Sequence, residues 1–455
     1  MSEENNIEQT QIEQTSEEET ICRKKKKAEK KPSKTGDPVI DSFIDSPKEN
    51  QILTSGLLDK PKRQTGPLAY NSTAQYFMKA KFSSIAASLI CCLAGVILGT
   101  LVMLILNPSK FSYGYGIFWS TGFEDLIQVL YNMAPLVFCG LSVALCYKCG
   151  MFNIGASAQY ALGGFSATLV SFLLKNNVHW SLLLIIATFV GLLVGALPGI
   201  LKAYFRVNEV ISAIMINWIA LYFVRMMVKT VPGFFDQIAS GTVKIPADSI
   251  SMLPYKYIDA SSYPLNIAVI IAIVVAIVVS VVLSKTTFGY KLKATGFNRN
   301  AAEYAGINSK LNIVLAFALS GAIAGLGGAC AYLLPGKIFK GDITTVWQEG
   351  FDGISVSFLA NGSPIGIIFS GLFISLLKVC GKGLTVDTGF DSSAADITIS
   401  IILYLSAFSL LIYNIFMKDR KKKDYKLDTE TLINNRETPV SVIETQDEIK
   451  EDATV

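Results

Sequence analysis

Residues 181–201 read Ser-Leu-Leu-Leu-Ile-Ile-Ala-Thr-Phe-Val-Gly-Leu-Leu-Val-Gly-Ala-Leu-Pro-Gly-Ile-Leu, without one charged side chain. A helix of about 20 apolar residues is long enough to cross the ~30 Å hydrocarbon core of a bilayer. Similar uncharged runs recur along the 455 residues, of which 51% are hydrophobic and 17% charged. Soluble domains carry about 25% charged residues. The sequence therefore predicts an all-α polytopic membrane protein.

Ten apolar segments are expected to form transmembrane helices. The third, eighth and ninth are predicted to be short or broken, because the third opens with polar residues and Asn361-Gly-Ser-Pro364 separates the other two. Broken helices are tolerated at membrane depth only inside protein or beside a water-filled path. Phe152 and Phe351 open similar motifs five spans apart, which is compatible with an inverted repeat. The segments lie near 82–106, 126–146, 154–174, 181–201, 207–229, 265–284, 311–334, 346–360, 364–380 and 394–416.

Charged tails flank the membrane domain, which is predicted to cover residues 81–416. Residues 1–80 are polar and are expected to be disordered, and residues 417–455 form a second charged tail. With ten crossings, basic residues fall mainly on the side of the two tails, so the positive-inside rule predicts a plasma-membrane protein with both termini in the cytoplasm. Because the basic residues adjoin apolar segments, we expect them to meet membrane lipid and expect no nucleic acid partner.

No catalytic or cofactor motif is apparent in the sequence. The Gly-rich phosphate-binding loop of ATPases is missing, and a single histidine, His179, makes zinc-protease or Ser-His-Asp chemistry implausible. Cys146 and Cys149 have metal-site spacing, but no second pair lies nearby. We therefore expect no metal, no cofactor and no catalytic residue in this chain, so that energy for any transport comes from a partner or an ion gradient.

The loop 285–310 is predicted to contain a short helix outside the membrane. Asn300 with Glu303 three residues later is typical of a helix N-cap, and Gly306 is typical of a helix C-terminus. An exposed rigid helix could receive force from a cytoplasmic partner, although an ordinary connector would look similar.

This loop resembles the coupling loop of bacterial ABC-importer permeases of the branched-chain amino acid, monosaccharide and nucleoside type. Four further segments are similar to that family in the same order, over about residues 82–416. The fifth-span and Gly350–Val356 segments resemble its nucleoside and simple-sugar branch. The four segments begin Gly150-Met-Phe-Asn-Ile-Gly, Val207-Asn-Glu-Val-Ile-Ser, Ser320-Gly-Ala-Ile-Ala-Gly and Gly350-Phe-Asp-Gly-Ile-Ser.

The resemblance implies a permease subunit of an ATP-driven importer, with a nucleoside as the first expectation for the solute and a simple sugar as the second. It implies three partners: a cytoplasmic ATPase that binds ATP and Mg, a second homologous permease or a copy of this chain, and a lipid-anchored binding protein that delivers the solute. The residues expected to couple to the ATPase are Ala294, Gly296, Asn298, Asn300, Ala301, Ala302, Glu303, Tyr304 and Gly306.

Polar residues in the spans are the candidates for a substrate path, because such groups are costly in lipid and usually face protein or water. Hydrogen bonding between helices would explain them equally well. Lys378 lies near a span end and is expected to snorkel or to be paired. Gly191 with Gly195, and Gly321 with Gly325, have the spacing that permits close helix packing. The path candidates are Asn153, Gln159, Glu209, Asn217 and Asp352.

Two other classes of protein remain to be separated from the importer. An ion-coupled secondary transporter of a small polar solute would also have about ten spans and broken helices, but it needs titratable groups at the midplane, where Asp352 is the best candidate. An intramembrane enzyme would need a nucleophile with a base or a metal cluster, and the sequence offers neither.

Overall fold

The computed structural model describes residue 90, residues 93–105, 107–257 and 263–388, and residues 397, 400, 401 and 404. Contacts divide the chain into residues 1–78 and 79–455, and all described residues belong to the second unit. Both predicted tails, less than half of the first span and most of the tenth lie outside the described residues.

The described chain is almost entirely helical. Two small antiparallel hairpins, which pair β1 with β2 and β3 with β4, lie in the connection before α7. The strands are β1 Phe235–Asp236, β2 Gly241–Thr242, β3 Tyr255–Lys256 and β4 Leu265–Asn266. The helices are α1 Leu93–Ile105, α2 Phe111–Glu124, α3 Leu126–Lys148, α4 Ala156–Leu173, α5 Trp180–Phe205, α6 Glu209–Thr230, α7 Ala268–Lys285, α8 Thr287–Phe297, α9 Arg299–Tyr304, α10 Ser309–Tyr332, α11 Gln348–Leu359 and α12 Pro364–Thr388.

Six of the described helices are long and apolar enough to cross a membrane: α3, α5, α6, α7, α10 and the first 19 residues of α12. The all-α membrane class is therefore confirmed, while the count of ten stays a prediction. The third segment does begin with a non-helical stretch before α4, and the eighth, α11, has only 12 residues. The ninth is longer than predicted, because α12 continues without interruption to Thr388. Sequence reasoning missed α2, which lies between the first two predicted segments.

The glycines predicted to permit close helix packing, Gly191 and Gly195 of α5 and Gly321 and Gly325 of α10, face one another inside this subunit and form a glycine seam. A Cβ built on Gly321 would lie 2.2 Å from the Gly191 carbonyl oxygen, and one on Gly195 would lie 2.4 Å from the Phe317 carbonyl oxygen. The two backbones thus touch where any side chain would separate them. This seam fixes α10 at the centre of the bundle, where it also packs against α3 and α4.

The bundle has two distinct ends. At one end, a cluster that includes Leu145 of α3, Ala203 of α5 and Leu283 of α7 packs against Leu292 of α8, close to the start of α10. The opposite end holds the start of α3, the start of α7 and the end of α10, together with the two hairpins. The candidate site draws on both ends and on the middle.

Candidate functional site

A buried cluster of polar side chains lies at the broken start of α4. The Asn153 amide nitrogen donates to Gln159 Oε1 at 2.9 Å and to Ser320 Oγ at 2.7 Å. Ser320 in turn lies 2.8 Å from Ser142, so the cluster links α3, α4 and α10. The Asn153 oxygen accepts the Gly155 N–H at 3.0 Å and thereby fixes the turn that precedes the helix.

Asn217 of α6 joins the same region. Its oxygen accepts the Ala158 N–H at 3.0 Å, and its nitrogen donates to the Ile154 carbonyl at 3.1 Å. A side chain that satisfies backbone groups at a helix start substitutes for the missing helical partners. Three of the predicted path residues are therefore brought together, and all three are hydrogen-bonded in this structure.

The other two predicted path residues are in ion pairs at separate places. Asp352 of α11 is buried and pairs with Lys378 of α12, which confirms the expectation that Lys378 is paired. Glu209 pairs with Lys202 at 2.6 Å, at the bundle end that faces α8. Neither residue belongs to the polar cluster at the start of α4.

A cavity of about 240 Å³ lies at the end of the bundle opposite α8 and α9. Its wall is formed by α3, α4, α7, α10, α11 and α12, and the connection after α10 supplies Lys337. The Lys337 side chain is exposed, but the surrounding protein partly desolvates its ammonium and lowers its pKa below the usual value. Glu349 opposes that shift in pKa and Lys382 reinforces it. The polar and charged wall residues are Tyr131, Asn132, Tyr160, Asn266, Lys337, Glu349, Lys378 and Lys382.

The loop between α7 and α10 folds into two helices, α8 and α9, rather than the single short one predicted. Asn300 does not cap a helix, as the sequence suggested, because Asn298 takes that position and accepts the Ala301 N–H at 3.1 Å. Glu303 pairs with Arg299 one turn earlier. Gly306 does end α9, with φ of 76°, and the Ile307 N–H reaches the Ala302 carbonyl at 3.0 Å in the arrangement that favours glycine.

The predicted coupling residues divide into an exposed and an anchored group. Tyr304 is 94% exposed, and Asn298, Asn300, Ala301, Glu303 and Gly306 are also exposed. Ala302 is buried, so it anchors α9 and cannot form part of a docking surface. Ala294 and Gly296 of α8 are half-buried, and a Cβ on Gly296 would lie 2.4 Å from the carbonyl carbon of Cys149, just after α3. The α8 backbone is thus in direct contact with the end of α3.

Residues 126–407 match the family described as the permease component of the branched-chain amino acid transport system. The chain belongs to this permease family. The match runs from the start of α3 to beyond α12 and so includes the polar cluster, the cavity and both loop helices. Within the described residues, no group of three or more His, Cys, Asp or Glu side chains is placed to hold a metal ion.

Several relatives of this permease are named as transport proteins. The chain is 32% identical to the guanosine ABC transporter permease protein NupP of Bacillus subtilis, over 76% of this chain and 99% of the relative. It is 31% identical to the nucleoside ABC transporter permease protein NupB of Lactococcus lactis, over 74% and 94%. It is 26% identical to the glucose ABC transporter permease protein TsgB13 of Haloferax volcanii, over 68% and 84%. No solved structure matches the chain.

These matches confirm the predicted family, its nucleoside and sugar branch, and the role of the chain as a multi-pass membrane permease rather than an enzyme. Sequence reasoning missed the cavity residues Asn266, Lys337, Glu349 and Lys382. Glu349 could have been predicted from the sequence, because it lies one helical turn before Asp352 and so shares a helix face with it. Asn266 carried no signal, since it lies in a polar connection with many similar residues.

Proposed function

We propose that this permease is the channel-forming subunit of an ATP-driven nucleoside importer. The arrangement of α8 and α9 carries the proposal: α9 exposes Tyr304, while α8 contacts the end of α3 through Gly296. A partner that pushes on α9 would move α3, which contributes to both the polar cluster and the cavity wall. The relatives from Bacillus subtilis and Lactococcus lactis, which are 32% and 31% identical, are named as permeases for guanosine and nucleosides, which favours a nucleoside over a simple sugar.

The proposed assembly contains three other proteins. A cytoplasmic ATPase, which holds the ATP and Mg, docks on α9. A second homologous permease or a copy of this chain completes the membrane part, and a lipid-anchored binding protein delivers the solute at the opposite face. The coupling residues proposed to contact the ATPase are Asn298, Asn300, Ala301, Glu303 and Tyr304. The other predicted coupling residues are proposed to hold α8 and α9 in position, and they are Ala294, Gly296, Ala302 and Gly306.

Both termini are proposed to lie in the cytoplasm, on the side of α8 and α9. The support is the concentration of cations there, including Lys285, Lys291 and Lys293. A protease added outside intact cells should leave tags at both ends uncut. Cleavage of either tag under those conditions would contradict this orientation.

The substrate path is proposed to run through the polar cluster, where Asn153, Gln159 and Asn217 lie. Glu209 and Asp352 lie outside the cluster and are proposed for the parts of the path on either side of it. Cysteines placed at Asn153, Gln159 and Asn217 should react with a small aqueous thiol reagent during ATP-driven cycling. They should react more slowly at rest, because all three positions are buried in this structure. Absence of any reaction in a cycling, folded importer would reject this path.

The identity of the solute is tested by measuring uptake of labelled guanosine into proteoliposomes that contain the complete importer. We expect uptake to be inhibited by excess unlabelled adenosine or uridine, and not by leucine or glucose. Inhibition by glucose alone, without guanosine uptake, would assign the permease to sugars instead.

A further inference from the structure

One buried donor in the cavity wall lacks a partner. The Asn266 side chain is 5% exposed, and its oxygen accepts the Ala268 N–H at 3.1 Å at the start of α7. That bond fixes which way the amide points. Its nitrogen then has no hydrogen-bond partner within the described part of the chain, although it lies in the wall of the cavity. A buried donor without a partner is costly, and native proteins rarely retain one without a reason.

An acceptor faces the same cavity. Glu349 is half-buried at the start of α11, and no described residue forms a hydrogen bond or a salt bridge with its carboxylate. Lys378 of α12 is also in the wall, but it is already paired with Asp352, which lies one turn after Glu349 on α11. The cavity therefore presents a neutral donor and a carboxylate acceptor that are both available to a solute.

The remaining cations of the wall lie on aromatic rings. The Lys337 ammonium lies 5.3 Å from the centre of the Tyr131 ring, and the Lys382 ammonium 5.7 Å from that of Tyr263. Both lysine side chains are exposed, unlike Asn266. These contacts hold the two cations at the mouth of the cavity and leave the deeper wall to Asn266 and Glu349.

We propose that this cavity is the site where the permease holds its solute, with Asn266 as the donor and Glu349 as the acceptor that recognise it. The proposal rests on the proposed function and names the site and the solute class. Glu349 suits the vicinal hydroxyls of a ribose, and Asn266 suits a ring nitrogen or carbonyl of a base. Pockets for drug-sized ligands are about 300–1,000 Å³, so a cavity of about 240 Å³ suits a compact solute. A neutral solute is proposed because a phosphate would meet the Glu349 carboxylate, while Lys378 is paired with Asp352 and Lys337 and Lys382 lie on aromatic rings.

The first test replaces the donor without removing the helix cap. Asn266→Asp keeps the oxygen that accepts the Ala268 N–H but removes the free N–H group. We expect the guanosine uptake rate of the complete importer, measured well below saturating solute, to fall about ten-fold, as for one hydrogen bond to a buried group. Asn107→Asp is the matched control, because Asn107 also accepts a backbone N–H, that of Lys110, at an exposed turn outside the cavity wall. In the control variant Asn107→Asp, guanosine uptake and basal ATP hydrolysis should both be unchanged.

The second test uses protection from labelling. In a permease whose eight native cysteines are replaced, Glu349→Cys should react with a small thiol reagent, and millimolar guanosine should slow that reaction several-fold. Gln348→Cys is the matched control, since Gln348 precedes Glu349 in the sequence but is exposed and does not line the cavity. Its reaction should not respond to guanosine.

The outcomes separate the site from the function. Unchanged uptake by Asn266→Asp, or unprotected Glu349→Cys in an importer that takes up guanosine, overturns the cavity as the solute site and leaves the proposed function standing. Stronger protection by guanosine monophosphate than by guanosine overturns the neutral solute class. If the wild-type importer takes up no guanosine, the proposed function fails first, and the assignment of the cavity to nucleosides fails with it.

Discussion

Replacing Gly321 with leucine should prevent this permease from folding stably in the membrane. The Cβ alone would lie 2.2 Å from the Gly191 carbonyl oxygen, and a backbone atom cannot move aside as a flexible side chain can. Overpacked cores typically lose 1–3 kcal/mol, and a leucine that separates α5 from α10 should cost at least about 3 kcal/mol. We expect little monodisperse protein after detergent extraction and a strongly lowered melting temperature in what remains.

Gly321→Ala and Gly116→Ala form a matched pair for this experiment. Both are glycines inside helices, but a Cβ on Gly116 meets nothing within 4 Å. Helix propensity favours alanine over glycine by about 1 kcal/mol, so Gly116→Ala should be neutral or slightly stabilising. Gly321→Ala should be destabilising despite the same gain in helix propensity. Equal melting temperatures for the two alanine variants would contradict the close contact between α5 and α10.

Replacing Ala301 with tryptophan should abolish ATP-driven uptake while the permease still folds and inserts. Ala301 is exposed on α9 beside Asn298, which caps that helix, so the bulky ring would obstruct docking without disturbing the buried Ala302. We expect uptake and solute-stimulated ATP hydrolysis to fall together by more than ten-fold. The measurement is co-purification of the ATPase with the variant, followed by both activities in proteoliposomes.

Two tyrosines provide the control for that surface. Tyr304 of α9 is 94% exposed, and Tyr290 of α8 is 70% exposed on the same loop. Tyr304→Ala should weaken docking of the ATPase, whereas Tyr290→Ala should retain most of the uptake. If the two variants lose uptake equally, α9 is not the distinct docking surface proposed above.

The apolar segments were predictable because hydrophobic length and charge distribution are local properties of the sequence. Most predicted segments begin and end within a few residues of the helices observed. The glycine seam was also predictable, since small residues four apart on a helix line one face. α2 was missed because its glycines and aromatic residues gave no clear apolar run, and because its packing against α12 is a tertiary contact.

The functional residues were harder to predict than the helices. Asn153, Gln159 and Asn217 were chosen for their polarity, and they do meet, but the sequence could not show that they bond to one another and to the start of α4. The cap of α9 was placed two residues too late because Asn298 and Asn300 are both good capping residues. The cavity joins residues from six helices that are distant in sequence, so only the folded chain brings Asn266 near Glu349.

Uptake of labelled guanosine into proteoliposomes tests the energy source of this permease most directly. One set of liposomes holds the permease with its ATPase and other partners, and the second holds this chain alone under an imposed proton or sodium gradient. We predict ATP-dependent uptake in the first set, insensitive to collapse of the ion gradient, and no uptake in the second. Gradient-driven uptake by the chain alone would contradict it and would identify an ion-coupled secondary transporter.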